Sequence, residues 1–188
     1  MSSLTVRDDR EVQTHPMTAT HAEIEAAIRR SGLEWTFLRA GTFATNALGW
    51  AVEIRGTGKV RLPYPGAGRS PIVADDIAGV AARVLTEEGH DEAAYVLSGP
   101  EQLTLAEMVA TIGETVGHTV RAEPIPPSVA RAELPADGAS EELADAALRY
   151  WAQLVTEPEP VTTTVERITG VPPTSFASWT RAHVTAFV

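Results

Sequence analysis

The first helical pattern along the chain is the segment THAEIEAAIRRSG, residues 20–32. Ile24 and Ile28 are four residues apart and therefore fall on one face of the predicted helix. Glu25 and Arg29 have the same spacing, which favours an ion pair between them. The glycine that ends the segment is a typical helix stop. We therefore predict an amphipathic helix with an apolar and a charged side.

Three later segments have the same helical period. Asp75 or Asp76 is expected to cap the first of them, and Thr104 with Glu107 has the spacing of a capping box in the second. The apolar stripes of the three predicted helices are, in order, Ile77, Val80, Ala81, Val84 and Leu85; Leu105, Met108, Val109, Ile112 and Val116; Leu143, Ala147, Tyr150, Trp151 and Leu154. Each stripe is expected to face inward.

Residues that favour strands fill the intervals between these helices. The segments at 33–41 (LEWTFLRAG) and 93–100 (AAYVLSGP) have apolar residues on both faces, which is typical of strands buried in a parallel sheet. The opening residues 1–4 are interpreted as the end of another strand, and 59–73 as two short strands around a Pro/Gly turn. Strands that alternate with helices predict an α/β fold with about three visible sheet strands.

Composition narrows the class of protein. The chain has 188 residues, a net charge of −10 and no cysteine. The acidic charge repels phosphate backbones, and a chain without cysteine has neither disulfides nor thiolate metal sites. No apolar stretch of the sequence reaches the length of a membrane-spanning helix. We therefore expect a cytoplasmic protein that binds neither nucleic acid nor membrane.

Three motifs in order resemble a known family. The segments SGLEWTFLRAGTFATN, GAGRSPIVADDIAGVAARVL and YVLSGPEQLTLAEMVATIGETVGHTV are similar to motifs of the NmrA-like atypical short-chain dehydrogenases. Ala40 stands where the family usually has a proline, which is a mild departure. The resemblance covers nearly the whole chain. It implies a fold of the Rossmann, NAD(P)-binding superfamily with a small C-terminal substrate lobe.

The resemblance also implies that part of the family fold is missing. Family members begin with a glycine-rich loop that binds the dinucleotide pyrophosphate, and the opening of this chain aligns with the family's fifth strand. We therefore expect a partial Rossmann-like parallel sheet lacking its N-terminal dinucleotide-binding half, at 1–100 with an inserted substrate loop at 53–74. A mostly helical substrate-binding lobe is expected at 101–188. No cofactor is expected for the isolated chain, and NAD(P) only if the N-terminal half is supplied.

The resemblance places a proton-transfer site at the start of the first helix. Reducing members of the wider superfamily have a tyrosine there and a lysine four residues later, and the lysine lowers the pKa of the tyrosine. This sequence has Met17 and His21 at those positions. Methionine cannot transfer a proton, which counts against ordinary reductase chemistry. His21 is then the candidate acid or base, and the alternative is a surface histidine near a helix start.

Other candidates follow the predicted strands, because open α/β sheets bind ligands at the carboxyl ends of their strands. Asn46 and Arg69 join His21 as candidate catalytic residues, with Arg69 placed to bind an anionic or carbonyl oxygen. The candidate substrate-binding residues are Ser3, Phe43, Trp50 and Tyr64. The structural alternatives are a polar chain end, packed aromatic rings, a capping asparagine and a solvated arginine.

Some further residues have a plainer expected role. Arg39 ends a buried strand and is expected to pair with Asp75 or Asp76. Trp179 is expected to be a core residue rather than part of an aromatic pocket. The segment PEPVTTT, residues 158–164, is interpreted as a linker. No pair of histidines in the sequence has the spacing of metal ligands, so no metal site is predicted.

Three functional hypotheses follow. The preferred one is a small-molecule tailoring enzyme that works without a cofactor, as an isomerase, cyclase or lyase on a hydrophobic oxygenated substrate. The second is the C-terminal half of an NAD(P)-dependent oxidoreductase, completed by another chain or by upstream sequence. The third is a non-catalytic ligand-binding or regulatory module. Because a truncated sheet exposes an unpaired edge, we expect a homodimer or a complementary N-terminal-half chain as partner.

Overall fold

The computed structural model describes residues 1–9, 16–134 and 140–188, leaving out the side chains of 16 and 17. Strands and helices alternate over the first part of the chain, as the sequence pattern predicted. The strands are β1 Ser2–Ser3, β2 Thr36–Ala40, β3 Lys59–Leu62, β4 Gly68–Arg69, β5 Ala93–Leu97, β6 Leu103–Thr104 and β7 Arg121–Pro124. The α-helices are α1 Pro16–Arg30, α2 Ala51–Thr57, α3 Ala74–Thr86, α4 Leu105–Val116, α5 Pro127–Glu133, α6 Glu141–Gln153, α7 Thr164–Thr169 and α8 Phe176–Ala182. Short 3-10 helices lie at Ala44–Trp50 and Val184–Ala186.

The central sheet has three parallel strands in the order β1-β2-β5. Parallel neighbours need crossover connections, and α1 and α3 lie in those connections. Ser3 is paired with Ala40, and Ala40 with Leu97. The carboxyl ends of the three strands therefore meet at one edge. The predicted α/β fold with a parallel sheet is confirmed.

Strand β2 is buried on both faces, as its composition predicted. Leu38 belongs to an apolar cluster with residues of α3 and α7. Successive side chains of a strand point to opposite faces. Phe37 accordingly meets α1, where the guanidinium of Arg29 lies 5.1 Å from its ring centroid. The ring of Trp35 stacks on Phe37 at 4.3 Å between centroids.

Arg39 is the buried cation on the α1 face of this strand. It forms a bidentate pair with Glu25, with Nε–Oε1 and Nη2–Oε2 distances of 2.9 and 2.7 Å. Asp8 accepts a further hydrogen bond from Nη1 at 2.6 Å. Burial alone would raise the pKa of Glu25, but the hydrogen bonds and the charge of Arg39 hold this pKa below its ordinary value. The two carboxylates therefore fasten α1 and the segment after β1 to the strand.

The expected pairing of Arg39 with Asp75 or Asp76 is wrong. Helix α3 lies on the opposite face of β2, so its first turn is out of reach of Arg39. The two aspartates are also not the cap, because Val73 is the N-cap residue of α3. Asp76 instead accepts a hydrogen bond from the backbone N–H of Thr174 at 2.8 Å. It thereby ties the chain before α8 to α3.

A larger apolar core lies beside the sheet. It joins the 3-10 helix Ala44–Trp50 to α2, β3, α4 and α8. Trp179 is 5% exposed and stacks on Phe176, so its expected place in the core is confirmed. This core draws residues from both sides of position 100. The division of the chain at that position stays a prediction.

Some predicted apolar stripes meet solvent instead of the core. Ile24 and Ile28 of α1 are 52% and 36% exposed, and Leu85 of α3 is 82% exposed. Glu25 lies on the buried side of α1, where its carboxylate pairs with the buried guanidinium of Arg39. In the described residues, β1 is also an edge strand of the central sheet. The homodimer expected to cover this edge stays a prediction.

Candidate active site

A cavity of about 740 Å³ opens at the carboxyl end of the parallel sheet. The ends of β1 and β2 and the loop 41–43 form its floor. The 3-10 helix Ala44–Trp50 borders one side, and α6 borders the other. The wall is mostly apolar, with a few convergent polar groups, which is the usual composition of a small-molecule site.

The structure brings six of the seven predicted site residues to this cavity. They are Ser3, His21, Phe43, Asn46, Trp50 and Arg69. Tyr64 is the exception, because it packs against the larger apolar core. His21 lies in the second turn of α1, since that helix begins at Pro16. The side chain of Met17 lies outside the described residues.

A chain of hydroxyl groups lies at the end of β1. Ser3 Oγ and Thr5 Oγ1 are 2.9 Å apart, and Thr18 Oγ1 donates to Thr5 Oγ1 at 2.8 Å. Ser3 and Thr5 line the cavity, whereas Thr18 is buried beneath them in α1. The hydrogen bonds fix the direction in which the two cavity hydroxyls point. Sequence reasoning missed Thr5, although it lies two residues after Ser3.

Glu159 is the centre of a second polar cluster on the cavity wall. Its carboxylate accepts hydrogen bonds from Thr42 Oγ1 at 2.7 Å, Arg69 Nη1 at 2.9 Å and Tyr150 Oη at 3.2 Å. The backbone N–H of Ser70 donates to it at 3.2 Å. Glu159 is 3% exposed. The segment interpreted as a linker therefore contributes the most highly connected carboxylate of the site.

Tyr150 and Arg69 pack together within this cluster. The guanidinium carbon of Arg69 lies 5.3 Å from the centroid of the Tyr150 ring. Burial raises the pKa of Tyr150, and the charge of Glu159 raises it further. The phenol therefore stays protonated near neutral pH and serves as a hydrogen-bond donor rather than a base. Arg69 Nε is buried without a hydrogen-bond partner among the described residues.

The described residues offer neither a metal centre nor a membrane-spanning helix. Within residues 1–9, 16–134 and 140–188, no group of three or more His, Asp or Glu side chains could hold a metal ion. No helix in these ranges is long and apolar enough to cross a membrane.

The sequence profile of the NmrA-like family matches residues 1–177. The chain belongs to the NmrA-like family. The predicted family resemblance is thereby confirmed, and it extends over both the sheet and the helices that enclose the cavity.

Two curated relatives of this NmrA-like protein are reductases by name. The (4-alkanoyl-5-oxo-2,5-dihydrofuran-3-yl)methyl phosphate reductase of Streptomyces griseus is 37% identical over 172 residues, which are 91% of this chain and 61% of the relative. The NAD(P)H azoreductase of Xenophilus azovorans is 36% identical over 168 residues, which are 88% of this chain and 58% of the relative. The chain thus spans about three fifths of the length of these relatives. That it is only the second half of the family fold stays a prediction.

A solved structure agrees with this comparison. The NADPH-dependent quinone oxidoreductase of Escherichia coli, in complex with NADPH, superposes with a TM-score of 0.78 at 25% identity. The match covers 92% of this chain and 62% of that chain. The Rossmann-like character of the sheet is therefore shown.

The comparisons correct two predictions. The preferred hypothesis of a cofactor-independent isomerase, cyclase or lyase is wrong, because the relatives are named as reductases. The expectation of no cofactor is also wrong. The name of the azoreductase includes NAD(P)H, and the quinone oxidoreductase structure contains NADPH. The first error came in part from treating the methionine at position 17 as a loss of redox chemistry, and the second came from the expected lack of the glycine-rich loop. Hydride delivery comes from the cofactor and does not depend on that side chain.

Proposed function

We propose that this chain forms the substrate side of an NAD(P)H-dependent reductase that acts on a hydrophobic, oxygenated acceptor such as a quinone. The observation that carries this proposal is the mostly apolar cavity at the carboxyl ends of β1 and β2, with ordered hydroxyls at its floor. Ligands of open α/β sheets bind at this end of the strands. The reductase names of the two curated relatives support the same chemistry.

The floor of the cavity suits the nicotinamide end of the cofactor. Ser3 and Thr5 present hydroxyls that would bind the carboxamide, and Phe43 presents a flat apolar surface for a ring. A bound reduced nicotinamide supplies a hydride, and the acceptor takes up one proton as well. The described residues do not contain a glycine-rich turn between a strand and a helix that would hold a pyrophosphate. We therefore assign to the described residues the binding of the nicotinamide end of the cofactor and not of its pyrophosphate.

Three side chains have proposed roles toward the acceptor. His21 donates the proton, because its imidazole lies on the cavity wall and imidazole exchanges protons near neutral pH. Asn46 binds an acceptor oxygen through its amide N–H groups. Trp50, together with the apolar face of α6, excludes water from the reacting atoms.

An anaerobic assay of the complete gene product with NADPH and a quinone tests this function. We expect NADPH oxidation that depends on the quinone, with one NADPH consumed for each quinone reduced. Replacing His21 with glutamine is expected to lower kcat by about 100-fold. His118→Gln is the matched control, because that histidine is exposed and remote from the cavity lining. Quinone binding without NADPH oxidation would contradict the proposal and favour a non-catalytic ligand-binding module.

A further inference from the structure

We propose that the cavity selects neutral acceptors over anionic ones, because Glu159 cancels the charge of Arg69 on the cavity wall. This inference rests on the proposed function, since it takes the cavity to be the substrate site. The two side chains are paired at 2.9 Å and are 8% and 2% exposed. A close pair of opposite charges presents little net charge to a ligand beside it.

The carboxylate of Glu159 is held in place by more than the arginine. Thr42 and Tyr150 donate to it through their hydroxyls, and Ser70 donates through its backbone N–H. Movement of the carboxylate toward solvent would leave these buried and partly buried donors without their acceptor, which is unfavourable. The negative charge therefore stays beside Arg69 when a ligand enters.

An anionic ligand gains little in such a cavity. It loses its hydration on entry, and the cation that would compensate the loss already has a partner. The carboxylate of Glu159 also lies on the wall and repels a second negative charge. Among the described side chains of the lining, His21 is the other basic group besides Arg69. A neutral carbonyl compound loses less hydration and keeps the hydrogen bonds that polar groups on the wall offer.

The binding of two matched ligands to the wild-type protein tests the proposed selectivity for neutral acceptors. Trp50 and Trp151 line the cavity, so quenching of tryptophan fluorescence reports binding without turnover. The probes are a naphthoquinone sulfonamide, which is neutral, and the naphthoquinone sulfonate of the same shape, both measured near pH 8. We expect the sulfonamide to bind at least about tenfold more tightly, a difference of about 1.4 kcal/mol. Equal or tighter binding of the sulfonate would overturn the proposal.

The Glu159→Gln variant tests the assigned cause. It keeps the shape of the side chain and leaves Arg69 with an uncompensated charge, so the affinity for the sulfonate is expected to rise about tenfold relative to the sulfonamide. Glu157→Gln is the matched control, because that residue is exposed and two positions away, and its ratio should equal that of the wild type. A folded Glu159→Gln variant with an unchanged ratio would contradict the role of the pair.

Two features keep this test decisive. Melting curves show which variants are folded, and the wild-type comparison decides the selectivity if Glu159→Gln does not fold. The binding assay contains no NADPH, so the absence of reductase turnover would refute the proposed function without affecting the ligand selectivity.

Discussion

Replacing Arg39 with methionine is expected to lower the free energy of unfolding by about 3–5 kcal/mol. The substitution keeps an apolar side chain of similar length but removes the bidentate partner of Glu25, which is 1% exposed on the buried side of α1. The longer contact with Arg29 at 3.4 Å is the ion pair of Glu25 that remains among the described residues. A buried carboxylate that loses its bidentate partner still bears the cost of its lost hydration, and the single longer contact with Arg29 offsets little of that cost. Urea denaturation near neutral pH measures the loss.

The control for this variant is Arg30→Met, which removes the same charge from an exposed position of α1. It is expected to change stability by less than about 0.5 kcal/mol. A loss of similar size in both variants would show that net charge, and not the buried pair, is responsible.

The pH dependence separates the buried pair from general packing. In the wild type the pKa values of Asp8 and Glu25 are lowered, so their stabilising contribution is present at neutral pH and is lost as the pH falls through the folded-state pKa values. In the Arg39→Met variant, burial raises the pKa of Glu25, and protonation relieves the cost as the pH falls. The stability gap between the two proteins should therefore narrow from about pH 7 to about pH 4. A constant gap would indicate that lost packing is the cause.

Replacing Ala147 with tryptophan is expected to weaken quinone binding by at least about 100-fold, or about 2.7 kcal/mol. Ala147 lies on the α6 wall of the cavity and is partly exposed to it. An indole at this position fills space that the ligand needs. Fluorescence titration with a neutral quinone measures the effect.

The matched control is Gln153→Trp, which adds the same indole to the exposed side of α6. It should bind the quinone like the wild type. Unaltered binding by a folded Ala147→Trp variant would show that the quinone site lies outside this cavity.

Elements built from local interactions were predictable from the sequence. Helix α4 begins with the predicted capping box, in which Thr104 Oγ1 accepts from the Glu107 N–H at 3.2 Å and the Glu107 carboxylate accepts from the Thr104 N–H at 2.7 Å. Strand β2 was predictable because its residues are apolar on both sides. Such signals lie within a few residues of one another, so the sequence displays them directly.

The polar clusters were not predictable, because their members are far apart in the sequence. Thr42 and Arg69 lie 117 and 90 residues from Glu159. In the sequence, Glu159 stands between two prolines, which is typical of a solvated linker. The donors that surround it become visible only in the folded structure. The partner of Arg39 was misassigned for the same reason, since the sequence does not show which helix covers which face of β2.

The periodicity of α6 shows a further limit. It correctly marked one face of the helix, including Leu143, Ala147, Tyr150 and Trp151, as turned inward. Much of that face borders the cavity, and Tyr150 and Leu154 also contact the larger apolar core. A hydrophobic stripe predicts that a face is shielded from water, but it does not distinguish a packed neighbour from the wall of a ligand site. The converse holds for Ile24 and Ile28, whose stripe is exposed in the described structure.

A crystal structure of the complete gene product with NADP⁺ and a neutral quinone tests the central claim most directly. We expect the quinone in the cavity between Phe43 and the α6 wall, and the nicotinamide ring against Ser3 and Thr5 at the end of β1. Hydride transfer requires the two rings to be in contact. A quinone bound outside this cavity, or a nicotinamide ring bound away from the quinone, would contradict the assignment of this cavity as the substrate site of a reductase.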